Sequence, residues 1–213
     1  MLISFSYIYD KYDLKDKIKG ILHVGAHECE ELKIYIDHDI DIKKQLWIEA
    51  LTDLVEKCKK KYEDVNIINA IISDEDNKEI EFNITNNFSS SSILNLKTHL
   101  QEHPHIHVID KIKGFTKTLK TVYDENNIPY DKFNFMNLDI QGAELLALKG
   151  LQDILNNFDY IYTEVNVNEL YENCCLINQI DDFLSLKGFQ RVETNITGHG
   201  WGDAFYIRKT LSL

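Results

Sequence analysis

Short apolar runs alternate along the chain with stretches whose apolar positions recur at helical spacing. Ile21-Leu22-His23-Val24 reads as a buried strand ending at Gly25. From Glu28 to about His38, Cys29, Leu32, Tyr35 and Ile36 fall on one helical face. Leu46-Trp47-Ile48 predicts a second strand, ending at Glu49. Thr52 to about Tyr62 predicts a helix with Leu54, Val55 and Cys58 inward and the lysines outward. Asn66–Ile72 reads as one strand and Asn134–Ile140 as another. A helix follows from Ala143 to about Asn156 on a leucine stripe. Tyr160–Val165 is a further strand and Leu176–Leu186 a further helix, closed by Lys187-Gly188. Two strands around the turn Gly198–Gly202 end the pattern.

Strand–helix alternation of this kind predicts an α/β fold. Its sheet is mostly parallel, with helices on both faces, and the final pair of strands suggests an antiparallel edge that includes an antiparallel C-terminal strand. The rhythm breaks between about residues 77 and 115. That stretch holds a strand-like Glu79–Ile84, the run Ser89–Ser92 and a histidine-rich segment. An irregular insertion in a regular frame is where a substrate loop is expected. With no Gly/Ser linker and only Pro104 and Pro129, residues 1–213 read as one domain, the first twenty forming an N-terminal extension.

Lys and Arg total 23 against 35 Asp and Glu, a net charge of −12. Only Arg191 and Arg208 are arginines, so bidentate clamps on phosphate are scarce and nucleic acid is not expected as a partner. No apolar run reaches the ~20 residues of a membrane span, and the first residues lack the marks of a signal peptide. Cys29, Cys58, Cys174 and Cys175 form no CxxC pair. These features predict a reduced, cytoplasmic protein without a disulfide frame or membrane contact.

In open α/β sheets ligands bind beyond the carboxyl ends of the strands. Here those ends carry Gly25-Ala26-His27-Glu28, Glu49, Ala70-Ile71, Asp139-Ile140-Gln141-Gly142 and Glu164. Glu49 lies 24 positions after Gly25, close to the ~20 that separate a phosphate turn from a ribose-binding acid. Yet the turn has one glycine and carries Glu28 and Glu30 where a pyrophosphate would sit. Acids there repel phosphate and tolerate a sulfonium, which favours S-adenosylmethionine over a nicotinamide dinucleotide.

In order along the chain, Leu22-His23-Val24-Gly25-Ala26-His27, Trp47-Ile48-Glu49-Ala50, Asn69–Asp74, Ser90–Leu94, Asn137-Leu138-Asp139-Ile140-Gln141-Gly142-Ala143-Glu144, Leu148-Lys149-Gly150, Tyr162–Val165 and Asp203–Tyr206 resemble the segments of the FkbM-type methyltransferases. The resemblance runs from about Ile21 to Lys209. His23, His27, Asn137 and Gln141 depart from the residues common in that family. The resemblance implies a class I, Rossmann-like fold and O-methylation of a hydroxyl on a sugar, nucleotide-sugar or glycan. By position, Gly25, Ala26, His27 and Glu28 would border the methionine of the cofactor. Glu49 would hold the ribose beside Ala50, and Ala70, Ile71 and Ser73 would border the adenine. Asp139 and Gln141 would stand between cofactor and substrate.

Methyl transfer to a hydroxyl needs an aligned acceptor and a group that takes its proton. Asp139 and Glu164, at neighbouring strand ends, are candidates. So is His199, in a glycine-rich turn placed to fold over the same mouth with Asp203. A divalent cation on Asp139, Glu164 and Asp203 is a second route, but no tight acidic cluster is visible in the linear sequence and the metal-free route is favoured. Ser91, Ser92, His103, Trp201 and Asp203 are the substrate-side candidates. Hydroxyls suit sugar hydrogen bonds and Trp201 suits a sugar face. Four histidines, His99, His103, His105 and His107, are a weaker pointer to zinc. Edge strands and the N-terminal extension are the places for a homodimer contact. A cofactor-fold binding module without activity is the alternative from another class.

Overall fold

The computed structural model describes residues 1–211. Ten strands and seven helices follow one another. They are α1 (Phe5–Lys11), β1 (Ile21–Val24), α2 (Leu32–Asp37), β2 (Gln45–Glu49), α3 (Thr52–Lys61), β3 (Ile67–Asn69), β4 (Ile71–Ile72), β5 (Glu79–Thr85), α4 (His99–Glu102), β6 (Val108–Lys117), α5 (Leu119–Glu125), β7 (Phe135–Leu138), α6 (Glu144–Gly150), β8 (Tyr160–Asn166), α7 (Ile177–Leu186), β9 (Phe189–Ile196) and β10 (Trp201–Arg208). Among the described residues no helix is long and apolar enough to cross a membrane.

Seven strands form the main sheet in the order β3-β2-β1-β7-β8-β10-β9. β1 pairs in parallel with both β2 and β7, and β7 with β8. The order reverses between β1 and β7, which opens a crevice at their carboxyl ends. The final pair forms the antiparallel edge: β10 runs between β8 and β9, antiparallel to both, and β9 is the outermost strand.

Alternation along each strand builds two cores. Leu22, Val24, Leu46, Ile48, Met136 and Leu138 pack on one face with α5, α6 and α7. Ile21, Trp47, Phe135, Tyr160 and Tyr162 pack on the other with α1, α2 and α3. Burial on both faces explains why these strands read as continuous apolar runs. The N-terminal extension is part of the second core: Phe5 on α1 meets Tyr35 edge-on at 4.9 Å between ring centroids.

Four expectations about elements change. Asn66–Ile72 is two strands: β3 pairs with β2 in the main sheet, whereas β4 pairs with β6 in a second sheet of order β4-β6-β5. The insertion is therefore largely regular, since β5 and β6 form an antiparallel ladder from Glu79↔Phe115 to Thr85↔Val108. The helix after β7 ends at Gly150 and continues as a 3-10 turn, Gln152–Asn157. A Cβ at Gly150 would stand 2.5 Å from the Ser73 carbonyl oxygen, so the helix packs there without a side chain. The helix expected from Glu28 begins only at Leu32, because His27 and Cys29 adopt left-handed backbone conformations (φ 43° and 54°).

Candidate active site

The crevice at the strand-order reversal holds a cavity of about 280 Å³. Its floor is made by the turns after β1 and β7. Gly25 has φ +92°, and a Cβ there would lie 1.8 Å from the Asp139 carbonyl oxygen. Only glycine lets these two turns come together. The amides of Gly25 and Ala26 donate to the Ile48 carbonyl at 2.9 and 3.0 Å, which ties the first turn to the end of β2.

Glu49, at that end, is buried and held by the backbone. The His27 N–H donates to Oε2 at 2.8 Å and the Leu51 N–H to Oε1 at 2.9 Å. Burial raises its pKa, and these donors oppose the rise. Each oxygen has one protein donor and keeps capacity for another. Beside it, the His27 ring meets Glu30 at 2.6 Å, and this contact raises the His27 pKa. Burial pushes the Glu30 carboxyl up, but the His27 ring and local backbone donors outweigh it and hold Glu30 at about 2.

Part of the cavity wall is apolar: Leu54, Ala70, Ile71, Phe82 and Ile93 line it. Phe82 and Ile93 belong to the insertion, whose loop also brings Phe88, Ser89 and Ser91 to the cavity. The lining side chains include four carboxylates (Glu30, Glu31, Glu49 and Asp139) and neither Lys nor Arg. The set fits a cationic adenosine ligand: an anchored acid for ribose, an apolar slot for a base, and negative charge around a sulfonium.

After β7 the chain turns through Gln141 (φ 57°) and Gly142 (φ 97°). Glu144 fastens this turn: its Oε1 accepts from the Ile140 and Gly142 amides at 3.0 and 3.1 Å. Burial raises Glu144 to about 7, against these donors and with Asp139 adding to the rise. Gln141 Nε2 donates to Asp139 Oδ1 at 2.7 Å and to Glu164 Oε2 at 2.6 Å. Glu164 is buried, and burial followed by the nearby Asp139 and Glu144 charges raises its pKa well above the usual carboxylate value. An acid–amide–acid bridge thus runs from Asp139 and Gln141 on the cavity lining to Glu164, which does not itself border the cavity.

Gly25, Ala26, His27, Glu49, Ala50, Ala70, Ile71, Asp139, Gln141 and Ser91 all border the cavity. Other expected residues do not. Glu28 turns outward and pairs with Lys57 on α3 at 2.6 Å, because the left-handed His27 and Cys29 rotate the loop; Glu30 and Glu31 take its place. Ser92 is buried, and its hydroxyl donates to the Gln141 carbonyl at 2.9 Å. Ser73 is buried below α6. His199 does not fold over the mouth. Its ring meets Glu102 at 2.8 Å in an exposed pair and lies tilted to the His103 ring at 4.8 Å between centroids, beside a separate shallow depression. His99 is buried against Tyr171. Trp201 packs on Leu170, Tyr171 and Cys174, with no open face toward the cavity. Asp203 faces Glu164 across β8 and β10 but turns its carboxylate to the Tyr162 hydroxyl and the Leu2 amide. Among the described residues no three His, Cys, Asp or Glu side chains are arranged to hold a metal ion.

Sequence reasoning missed Glu31, Phe82, Phe88 and Met1 as lining residues, and Glu144 and Tyr171 as supports. Alternation along β5 marks Phe82 as inward. Nothing in the sequence marks Met1, whose sulfur lies 3.5 Å from Asn137 Nδ2.

The reversed strand order, the anchored acid after β2 and the acidic, phosphate-averse first turn define a class I S-adenosylmethionine-dependent methyltransferase. The model of the FkbM methyltransferase domain matches residues 23–191, and the chain belongs to that family. A methyltransferase FkbM from Methylobacillus flagellatus KT has a similar fold (TM-score 0.54, 13% identity), covering 88% of this chain and 43% of the other. The chain therefore spans less than half the length of that protein. A SAM-dependent methyltransferase from Aquifex aeolicus is similar at a TM-score of 0.50 and 14% identity, covering 97% of this chain and 90% of the other. The comparison with curated proteins found no significant match.

Proposed function

We propose that the protein methylates a hydroxyl group of a sugar or glycan, with Asp139 taking the hydroxyl proton. The observation that carries this reading is the Asp139–Gln141–Glu164 bridge, whose first two members line the cofactor cavity. S-adenosylmethionine, when bound, supplies an electrophilic methyl group on a positively charged sulfur. Glu49 accepts the two ribose hydroxyls through its free lone pairs, while the His27 and Leu51 amides hold it still. Leu54, Ile71 and Phe82 enclose the base and exclude water.

The acceptor enters over Phe88, Ser89 and Ser91, which offer an apolar face and two hydroxyls at the cavity rim. That combination suits a carbohydrate. Asp139 would take the proton of the reacting hydroxyl as its oxygen gains the methyl group, the sulfonium S–CH3 bond breaking to leave S-adenosylhomocysteine. Burial, followed by the nearby Asp139 charge, raises the Glu164 pKa, so of the two carboxyls Glu164 is the one that holds a proton more readily. The lining has no lysine or arginine for a phosphate, which favours neutral glycosides and amino sugars over nucleotide-sugars.

The test is methyl transfer from radiolabelled S-adenosylmethionine to matched panels of neutral glycosides, amino sugars, nucleotide-sugars and phenols. Labelled product from the first two panels is expected. Transfer to phenols alone would leave a methyltransferase and remove the sugar. Absence of transfer to every panel would favour a binding module.

A further inference from the structure

Tyr171 lies outside every motif considered so far. It sits in the irregular segment between β8 and α7 and is fully buried. Its hydroxyl oxygen is 2.6 Å from Gln141 Oε1 and 3.3 Å from the Ser90 carbonyl oxygen. A phenol has one proton to donate, and the shorter contact takes it. An amide oxygen that accepts from Tyr171 leaves its Nε2 no choice of direction: both N–H groups point at the carboxyl pair, 2.7 Å from Asp139 Oδ1 and 2.6 Å from Glu164 Oε2. Rotated by half a turn, the amide would aim its oxygen at two carboxyl groups and its NH₂ at a phenol that already has an acceptor. Burial, followed by the Glu164 charge, holds the Tyr171 pKa well above its usual value, so the hydroxyl is a donor across the working pH range.

The same residue reaches the segment from Leu96 to His99. Its ring packs 5.4 Å from that of His99, and Leu96 and Tyr171 form an isolated antiparallel bridge. On the other side of the turn, the Ser92 hydroxyl donates to the Gln141 carbonyl. Gln141 is thus held twice, at its carbonyl by Ser92 and at its amide oxygen by Tyr171.

We infer that Tyr171 is a positioning residue: it sets the Gln141 amide so that its two N–H groups bridge Asp139 and Glu164, and it ties that bridge to the segment from Leu96 to His99. The assignment of Asp139 as proton acceptor belongs to the proposed function; the orienting role of Tyr171 does not depend on it. Other titratable groups face the pair from each neighbouring element. They are Glu144 on α6, Tyr162 on β8, Asp203 on β10, His23 on β1 and Glu31 across the cavity. None of them stands between Tyr171 and Gln141.

The test compares wild type, Tyr171→Phe, Gln141→Leu and the double variant by thermal melting. Tyr171→Phe should lower Tm in the wild-type background, and most of that loss should vanish in the Gln141→Leu background, where no amide is left to orient. An equal loss in both backgrounds means packing alone, and overturns the proposal. So does a Tyr171→Phe variant that melts with wild type. Calorimetry with S-adenosylhomocysteine runs alongside, with the Tyr171→Phe affinity expected within about twofold of wild type. Failure of the wild type to bind would strike the cofactor reading and leave the melting comparison intact.

Discussion

Gly25 and Asp139 meet backbone to backbone: a methyl group added at Gly25 would lie 1.8 Å from the Asp139 carbonyl oxygen. The ends of β1 and β7 are pressed together at the point where the ligand crevice opens. Gly25→Ala adds this clash to a left-handed backbone at φ +92°. A loss of about 3 kcal/mol is expected, which for a chain of this size is roughly 6–12 °C in Tm. A melt within a degree of wild type would show that the two turns part easily.

Glu49 is expected to dominate cofactor affinity. Removing two hydrogen bonds to a charged group costs about 3 kcal/mol or more, so Glu49→Ala should weaken S-adenosylhomocysteine binding on the order of 100-fold. Isothermal calorimetry reads this directly, and unchanged affinity would remove Glu49 from the ribose site.

Asp139→Asn keeps the volume and an acceptor oxygen for the Gln141 amide. Turnover with any accepted hydroxyl substrate should fall by about 10²–10⁴-fold, while cofactor affinity stays close to wild type. A comparable loss in binding would mean that Asp139 holds the cofactor rather than the acceptor proton.

Glu144 titrates near pH 7 in the folded protein, against 4.5 for an ordinary glutamate. Between those values the folded protein keeps a proton that the unfolded chain has released. The associated stability is fully present below pH 4.5 and is lost as pH rises through about 7. Glu144→Gln keeps an acceptor for the Ile140 and Gly142 amides and removes the titration. Its Tm relative to wild type should rise between about pH 5 and pH 8. A flat difference would contradict the buried, proton-holding Glu144.

His199→Ala is the negative counterpart. Its ring is in an exposed pair with Glu102, and such pairs contribute roughly 0–1 kcal/mol. Neither Tm nor cofactor affinity should move appreciably; a marked loss of affinity would bring the terminal turn back into the site.

The main sheet was legible because its strands are covered on both faces, so Ile21–Val24, Leu46–Ile48 and Tyr160–Val165 carry little polar interruption. The two-sheet split at Ala70 was not. No proline or glycine marks it; the chain leaves one ladder after the Ala70 N–H bonds to the Glu49 carbonyl and joins the next at Ile71↔Thr116. α1 and α5, at seven residues each, are too short to show a clear period. At the site, residues fixed by strand ends (Gly25, Glu49, Asp139) were readable from spacing. Glu28 was not, because two left-handed residues decide which of four neighbouring positions faces inward. Tyr171 and His199 answer to contacts 30 and 97 residues away, and local sequence holds no trace of either.

The reversed direction of β10 has a practical consequence. It starts beside Asn166, at the carboxyl end of β8, and finishes beside Tyr160, at the other end of that strand. Met1, by contrast, borders the cavity itself. An affinity tag or surface linker joined after β10 leaves the crevice clear, whereas one joined ahead of Met1 is delivered to its rim. Immobilisation through the far end is therefore the arrangement in which acceptor panels meet an unobstructed site.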